Sequence, residues 1–125
     1  LGVKNTSQWS KDLDNKANKQ FVDLFKKTYK RLPSLYASQG YDTGKLLISA
    51  LKETSINNKD KFRAALKKAN FQSTRGKFKF DTNQHPIQDI YVREVIKEGD
   101  ILTNKVISVG LSNRSNAYVK DCHLK

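Results

Sequence analysis

The residues able to do chemistry are few and poorly grouped. The two histidines, His85 and His123, fall in turn-like and tail-like sequence. The single cysteine, Cys122, adjoins His123, but two neighbouring ligands do not make a zinc site, which normally takes four. Asp12 and Asp14 could face a cation, and they equally supply helix-start chemistry. Asp81-Thr82-Asn83 opens like a calcium loop but lacks the glycine and terminal glutamate such a loop needs, so a β-turn accounts for it better. Neither GxGxxG nor GxxxxGK[ST] occurs, and no Ser/His/Asp or Cys/His grouping has supporting context. The sequence therefore predicts a non-enzymatic protein with no metal and no cofactor.

Binding chemistry is better represented. Trp9, Tyr36 and Tyr41 lie beside polar connectors, where large aromatic rings can line a ligand cleft or pack in a core. Ser38 and Gln39 precede a predicted helix start, where free backbone N–H groups favour a carboxylate; capping is their alternative role. The candidate ligand-binding residues are thus Trp9, Tyr36, Ser38 and Gln39.

The elements that must position them follow from periodicity. Asp12, Asp14 and Asn15 signal the start of a helix over about 17–30, with Phe21, Val22, Phe25 and Tyr29 on one apolar face. Leu32-Pro33 ends it, because the residue before proline avoids the α region. Residues 35–37 are expected to be a connector. A second helix begins near 39–42 and reaches about Glu53, with Leu46, Leu47, Ala50 and Leu51 as its buried stripe. Asn57 or Asn58 caps a third helix, which carries Phe62, Ala65, Leu66 and Ala69. From Gly76 the period becomes two: Phe78 and Phe80 share a strand face. A hairpin follows, Ile90–Ile96 against Ile101–Val109, around Glu98-Gly99-Asp100. Val3 could lie in a buried strand, and 110–125 is expected to be a surface tail.

Composition sets outer limits. The 125 residues match one domain, are 37% hydrophobic and 29% charged, and contain no apolar run long enough to span a bilayer. One cysteine excludes an intrachain disulfide. Leu1 reads as an internal start rather than the beginning of a signal peptide. The net charge of +12 invites a nucleic-acid reading, but most cations are lysines spread along the chain, and only Arg31, Arg63, Arg75, Arg93 and Arg114 suit bidentate phosphate contacts. A solvated basic surface is favoured.

Asn18-Lys19-Gln20-Phe21-Val22 with Tyr29, then Pro33, then Gly40-Tyr41-Asp42, then Lys61 to Leu66, the Gly76-to-Asp81 strand and the Glu98-Gly99 hairpin resemble, in order and spacing, type I periplasmic solute-binding proteins of the branched-chain amino acid family. The resemblance covers about 17–109. It implies an α/β fold: a fragment of a two-lobed periplasmic-binding-protein-like fold, with about three helices followed by a strand and a β-hairpin. Residues 1–109 would be its C-terminal segment. It further implies the substrate-binding component of an ABC importer outside the cytoplasm, which closes on an amino acid or related organic anion and docks on a membrane permease. The family holds the ammonium with an acid near the strand before the first helix; here no acid precedes Asp12. Other expected partners are the N-terminal part of the same protein and a second copy joined through open strand edges. The alternatives are the sensor domain of a signalling receptor and a basic nucleic-acid-binding domain.

Overall fold

In a computed structural model, described for residues 1–123, the order is β1 (Lys4–Ser7), α1 (Lys16–Tyr29), α2 (Leu35–Glu53), α3 (Lys59–Lys68), β2 (Lys79–Phe80), β3 (Pro86–Glu98) and β4 (Ile101–Arg114), then a single 3₁₀ turn at Val119–Asp121. The expected order of three helices, strand and hairpin is present. None of the described helices is long and apolar enough to cross a membrane.

Side-chain caps set the helix starts. Asn15 Oδ1 accepts the Asn18 N–H at 2.8 Å, Ser34 Oγ that of Ala37 at 3.3 Å, and Asn58 Oδ1 that of Lys61 at 3.1 Å. The second of these corrects the sequence reading. Ser34 is the first residue after Pro33 able to cap, so α2 begins at Leu35. Residues 35–37 are its first turn rather than a connector.

The sheet is antiparallel and centred on β3. β1 and β4 pair with Tyr91–Glu94 from its two edges, in registers that include Lys4↔Glu94 and Glu94↔Lys105. β2 pairs with the start of β3 through Lys79↔Ile87 and Phe80↔Pro86. Gly99 takes φ +58° in the two-residue loop between β3 and β4, a conformation that glycine adopts without steric cost. β4 continues past Val109 to Arg114. Beyond it, the Ser115 hydroxyl donates to Asp81 and the Asn116 amide meets His85 Nδ1 at 3.1 Å, so the expected tail begins as strand and then folds onto the 81–85 turn. The expected tail also includes residues 124–125, which lie outside the described residues.

Trp9, Leu13, Phe21 and Tyr91 form the core, with Val22, Phe25, Leu35, Ala37, Tyr41 and Val106 packed around them. Phe21 meets the Trp9 ring edge-on at 6.2 Å and the Tyr41 ring at 4.9 Å. Several expected core positions are instead exposed: Val3, Tyr29, Leu47, Leu51, Ile107 and Val109. Their periodicity is as predicted, but no described element packs against those faces. Ala50 and Ala65 are buried as the stripes require.

The segment 73–78 is a turn closed by a single bridge between Ser73 and Gly76, and of the expected strand from Gly76 to Asp81 only Lys79–Phe80 is regular. Ser73 Oγ, the Thr74 N–H and Arg75 Nε donate to the carboxylate of Asp42, at 2.5, 2.9 and 3.2 Å. This bends the chain around α2, and regular pairing resumes only at Lys79. Arg75 also donates to Gln88 at 2.8 Å and lies 4.4 Å from the Phe78 ring centre.

Two outcomes follow. Asp42→Ala would leave the Arg75 guanidinium buried without its counter-ion, and is expected to lower stability by about 3–5 kcal/mol in denaturant titration. Burial, reinforced by Asp89, raises the Tyr91 phenol above its ordinary value of 10.0. Folding thus favours the neutral phenol, a contribution complete below about pH 10 and lost as pH rises through the raised folded value. Unfolding followed across that alkaline range should show a slope that Tyr91→Phe lacks.

Candidate functional site

A cleft of about 300 Å³ opens where the loop after β1, the α1–α2 connection and the middle of β3 and β4 converge. Trp9, Ser10 and Lys11 come from the first, Leu32 to Tyr36 from the second, and Arg93, Thr103 and Asn104 from the strands. The β1–β3–β4 pairing makes this meeting possible: it places residue 5 opposite residue 93 and brings 103–106 alongside.

Two of the four candidates meet here. Trp9 is almost wholly buried and lends a wall, while Tyr36 stands exposed on the first turn of α2. The other two lie elsewhere. Ser38 has no exposed surface, and its hydroxyl is paired with Thr74 Oγ1 at 2.7 Å. Gln39 lines a different hollow of about 330 Å³, with Asp42, Arg75 and Phe78 among its neighbours. The early start of α2 is the cause: the helix advances each residue by about 100°, so consecutive side chains face different ways. Tyr41 packs on Phe21 in the core.

Two cations, Arg93 and Lys11, line the cleft, each with a carboxylate close by. Arg93 donates through Nη1 to the Trp9 carbonyl at 2.9 Å, and through Nε and Nη2 to Asn5 Oδ1 at 2.9 and 2.7 Å. Asn5 in turn donates to Asn104 at 2.7 Å. Burial pulls the Arg93 guanidinium below its ordinary value and Asp12 opposes that shift; the group remains a cation. Lys11 pairs with Glu98 at 2.9 Å. The N-terminus of the 19-residue α2, with Ser34, Leu35 and Tyr36 on the cleft wall, adds the positive end of a helix dipole. Asp12 accepts from Ser10 Oγ at 2.5 Å and from the Val106 N–H at 2.9 Å.

Sequence reading missed Lys11, Arg93 and Asn104. Arg93 interrupts an apolar strand pattern between Val92 and Val95, a signal that a long cation sits at the sheet centre, but only the strand register names its partners.

A family model described as periplasmic binding protein matches residues 1–100. The chain is similar to a solute-binding protein of an ABC transporter from R. palustris, solved in complex with benzoate: TM-score 0.84 and 31% identity, over 93% of this chain and 32% of that one. It is similar to another from Rhodopseudomonas palustris BisB5, in complex with 3,4-dihydroxybenzoic acid: TM-score 0.82 and 29% identity, over 94% of this chain and 32% of that one. A leucine binding protein from Thermotoga maritima shares the fold, with TM-score 0.71 and 24% identity over 86% of this chain and 30% of that one. The chain thus spans about a third of the length of these solved structures. No curated protein matches.

Arg93→Lys keeps the charge but loses the fork that joins Asn5 to the Trp9 carbonyl. It is expected to lower stability by about 1.5–3 kcal/mol, the range for hydrogen bonds to charged groups. Thermal unfolding of the two proteins side by side would check this.

Proposed function

We propose that this chain, which belongs to the periplasmic binding protein family, is part of the solute receptor of an ABC importer and binds the carboxylate end of a small organic acid or amino acid in the Trp9–Tyr36–Arg93 cleft. Its helices, short strand and hairpin correspond to about a third of the two-lobed fold of that family. One observation carries the reading: aromatic walls and positive charge converge in the same cleft, with Trp9 and Tyr36 beside Arg93, Lys11 and the start of α2. An aromatic ring suits the walls, and a carboxylate suits the cations and the helix N-terminus.

The relatives solved with benzoate and 3,4-dihydroxybenzoic acid support an aromatic carboxylate as the first class to test. In this reading the solute binds outside the cytoplasm, in the cleft between the lobes. Binding shifts the population toward a closed form, because contacts with the second lobe exist only there. The closed form then delivers the solute to the membrane permease.

Isothermal titration of the natural protein that carries this segment tests the proposal, using benzoate, leucine and uncharged benzamide. Binding of a carboxylate with no binding of benzamide is expected. Tyr36→Ala should weaken carboxylate binding about tenfold, or ~1.4 kcal/mol. Failure of both carboxylates to bind, or equal binding of benzamide, would overturn the proposal.

A further inference from the structure

Asn18 lies inside α1, where asparagine is a poor helix former. It is wholly buried, and its side-chain amide bonds to four groups of the neighbouring loop. Its Oδ1 accepts the Trp9 indole N–H at 2.7 Å. Its Nδ2 donates toward the carbonyls of Ser10, Lys11 and Leu13, at 3.2, 3.1 and 3.2 Å. Trp9, Ser10 and Lys11 all line the cleft. Asn18 does not line it.

We infer that Asn18 is a positioning residue for solute binding: it fixes the Trp9 indole and the 10–13 loop in the arrangement that the solute meets. This rests on the proposed function of the cleft. Only a planar group carrying both an acceptor and a donor can do both tasks from one position. Aspartate keeps the acceptor but sets a charged oxygen against three carbonyls, and serine is too short to reach both sides. The loop has no regular backbone pairing of its own beyond short turn contacts, Leu13 N–H to Ser10 O at 3.3 Å and Asn15 N–H to Leu13 O at 3.0 Å. The amide therefore contributes the contacts that tie this loop to the helix.

The test is a double-mutant cycle on the natural protein, with benzoate as the probe and leucine as the second probe. Asn18→Ser should weaken binding about tenfold, and much less in a Trp9→Phe background, because contacting residues couple. If Asn18→Ser fails to fold, Asn18→Asp and Trp9→Phe are read alone. Trp9→Phe removes the indole N–H with the five-membered ring and keeps one aromatic ring in the core, and should weaken binding while the protein stays folded. Slow exchange of the Trp9 indole N–H in the wild type is expected in every case, and fast exchange overturns the inference. Additive effects in the cycle, or wild-type affinity in Asn18→Ser, overturn the inference while leaving the proposed function intact. A wild-type protein that binds neither probe overturns the proposed function and this inference with it.

Discussion

The carboxylate of Asp42 is the constraint on which the rest of this structure depends. It is buried on α2 and gathers three consecutive residues of the 73–75 segment. That capture has several consequences. It anchors Arg75 over Phe78 and against Gln88 of β3, and so joins the helices to the sheet. It also places Thr74 beside Ser38, and lets the Thr74 carbonyl accept from Asn15, the cap of α1. One charge thereby connects α1, α2 and the sheet. No described buried side-chain nitrogen or oxygen lacks a partner, as a low-dielectric interior requires.

The cleft depends on a second polar system, also at the start of α1. Arg93 reaches from β3 to Asn5 and the Trp9 carbonyl, while Asn18 reaches from α1 to the same loop. The loop is held from the sheet side and from the helix side. Charge on Arg93 and apolar surface on Trp9 and Tyr36 can then stand together without collapse of the cavity. Preorganisation of this kind reduces the ordering cost that a bound solute would otherwise incur.

The exposed apolar residues have a consistent pattern. Leu47 and Leu51 on α2, and Ile107, Val109 and Leu111 on β4, recur at helical and strand spacing yet stand exposed. The chain corresponds to about a third of its solved relatives, whose remaining length is the part of the fold not represented here. Burial reflects the neighbours that are present, whereas periodicity reflects the faces that the sequence prepares.

The sequence by itself determined the order of three helices, strand and hairpin, the hairpin turn around Gly99, a first-helix start among Asp12, Asp14 and Asn15, a third-helix cap at Asn57 or Asn58, and the family pattern. Each of these depends on a few neighbouring residues: cap chemistry, the helical or strand period, or a positive φ at glycine. It also brought forward Trp9 and Tyr36, as aromatic rings beside polar connectors. The tertiary structure alone decided that Ser38 turns inward to Thr74 and that Gln39 faces a separate hollow. It alone joined Arg93, Lys11 and Asn104 to the aromatic pair. Those outcomes rest on contacts between residues tens of positions apart, set by strand register and by which buried polar group finds which partner, and no local pattern in the chain encodes them.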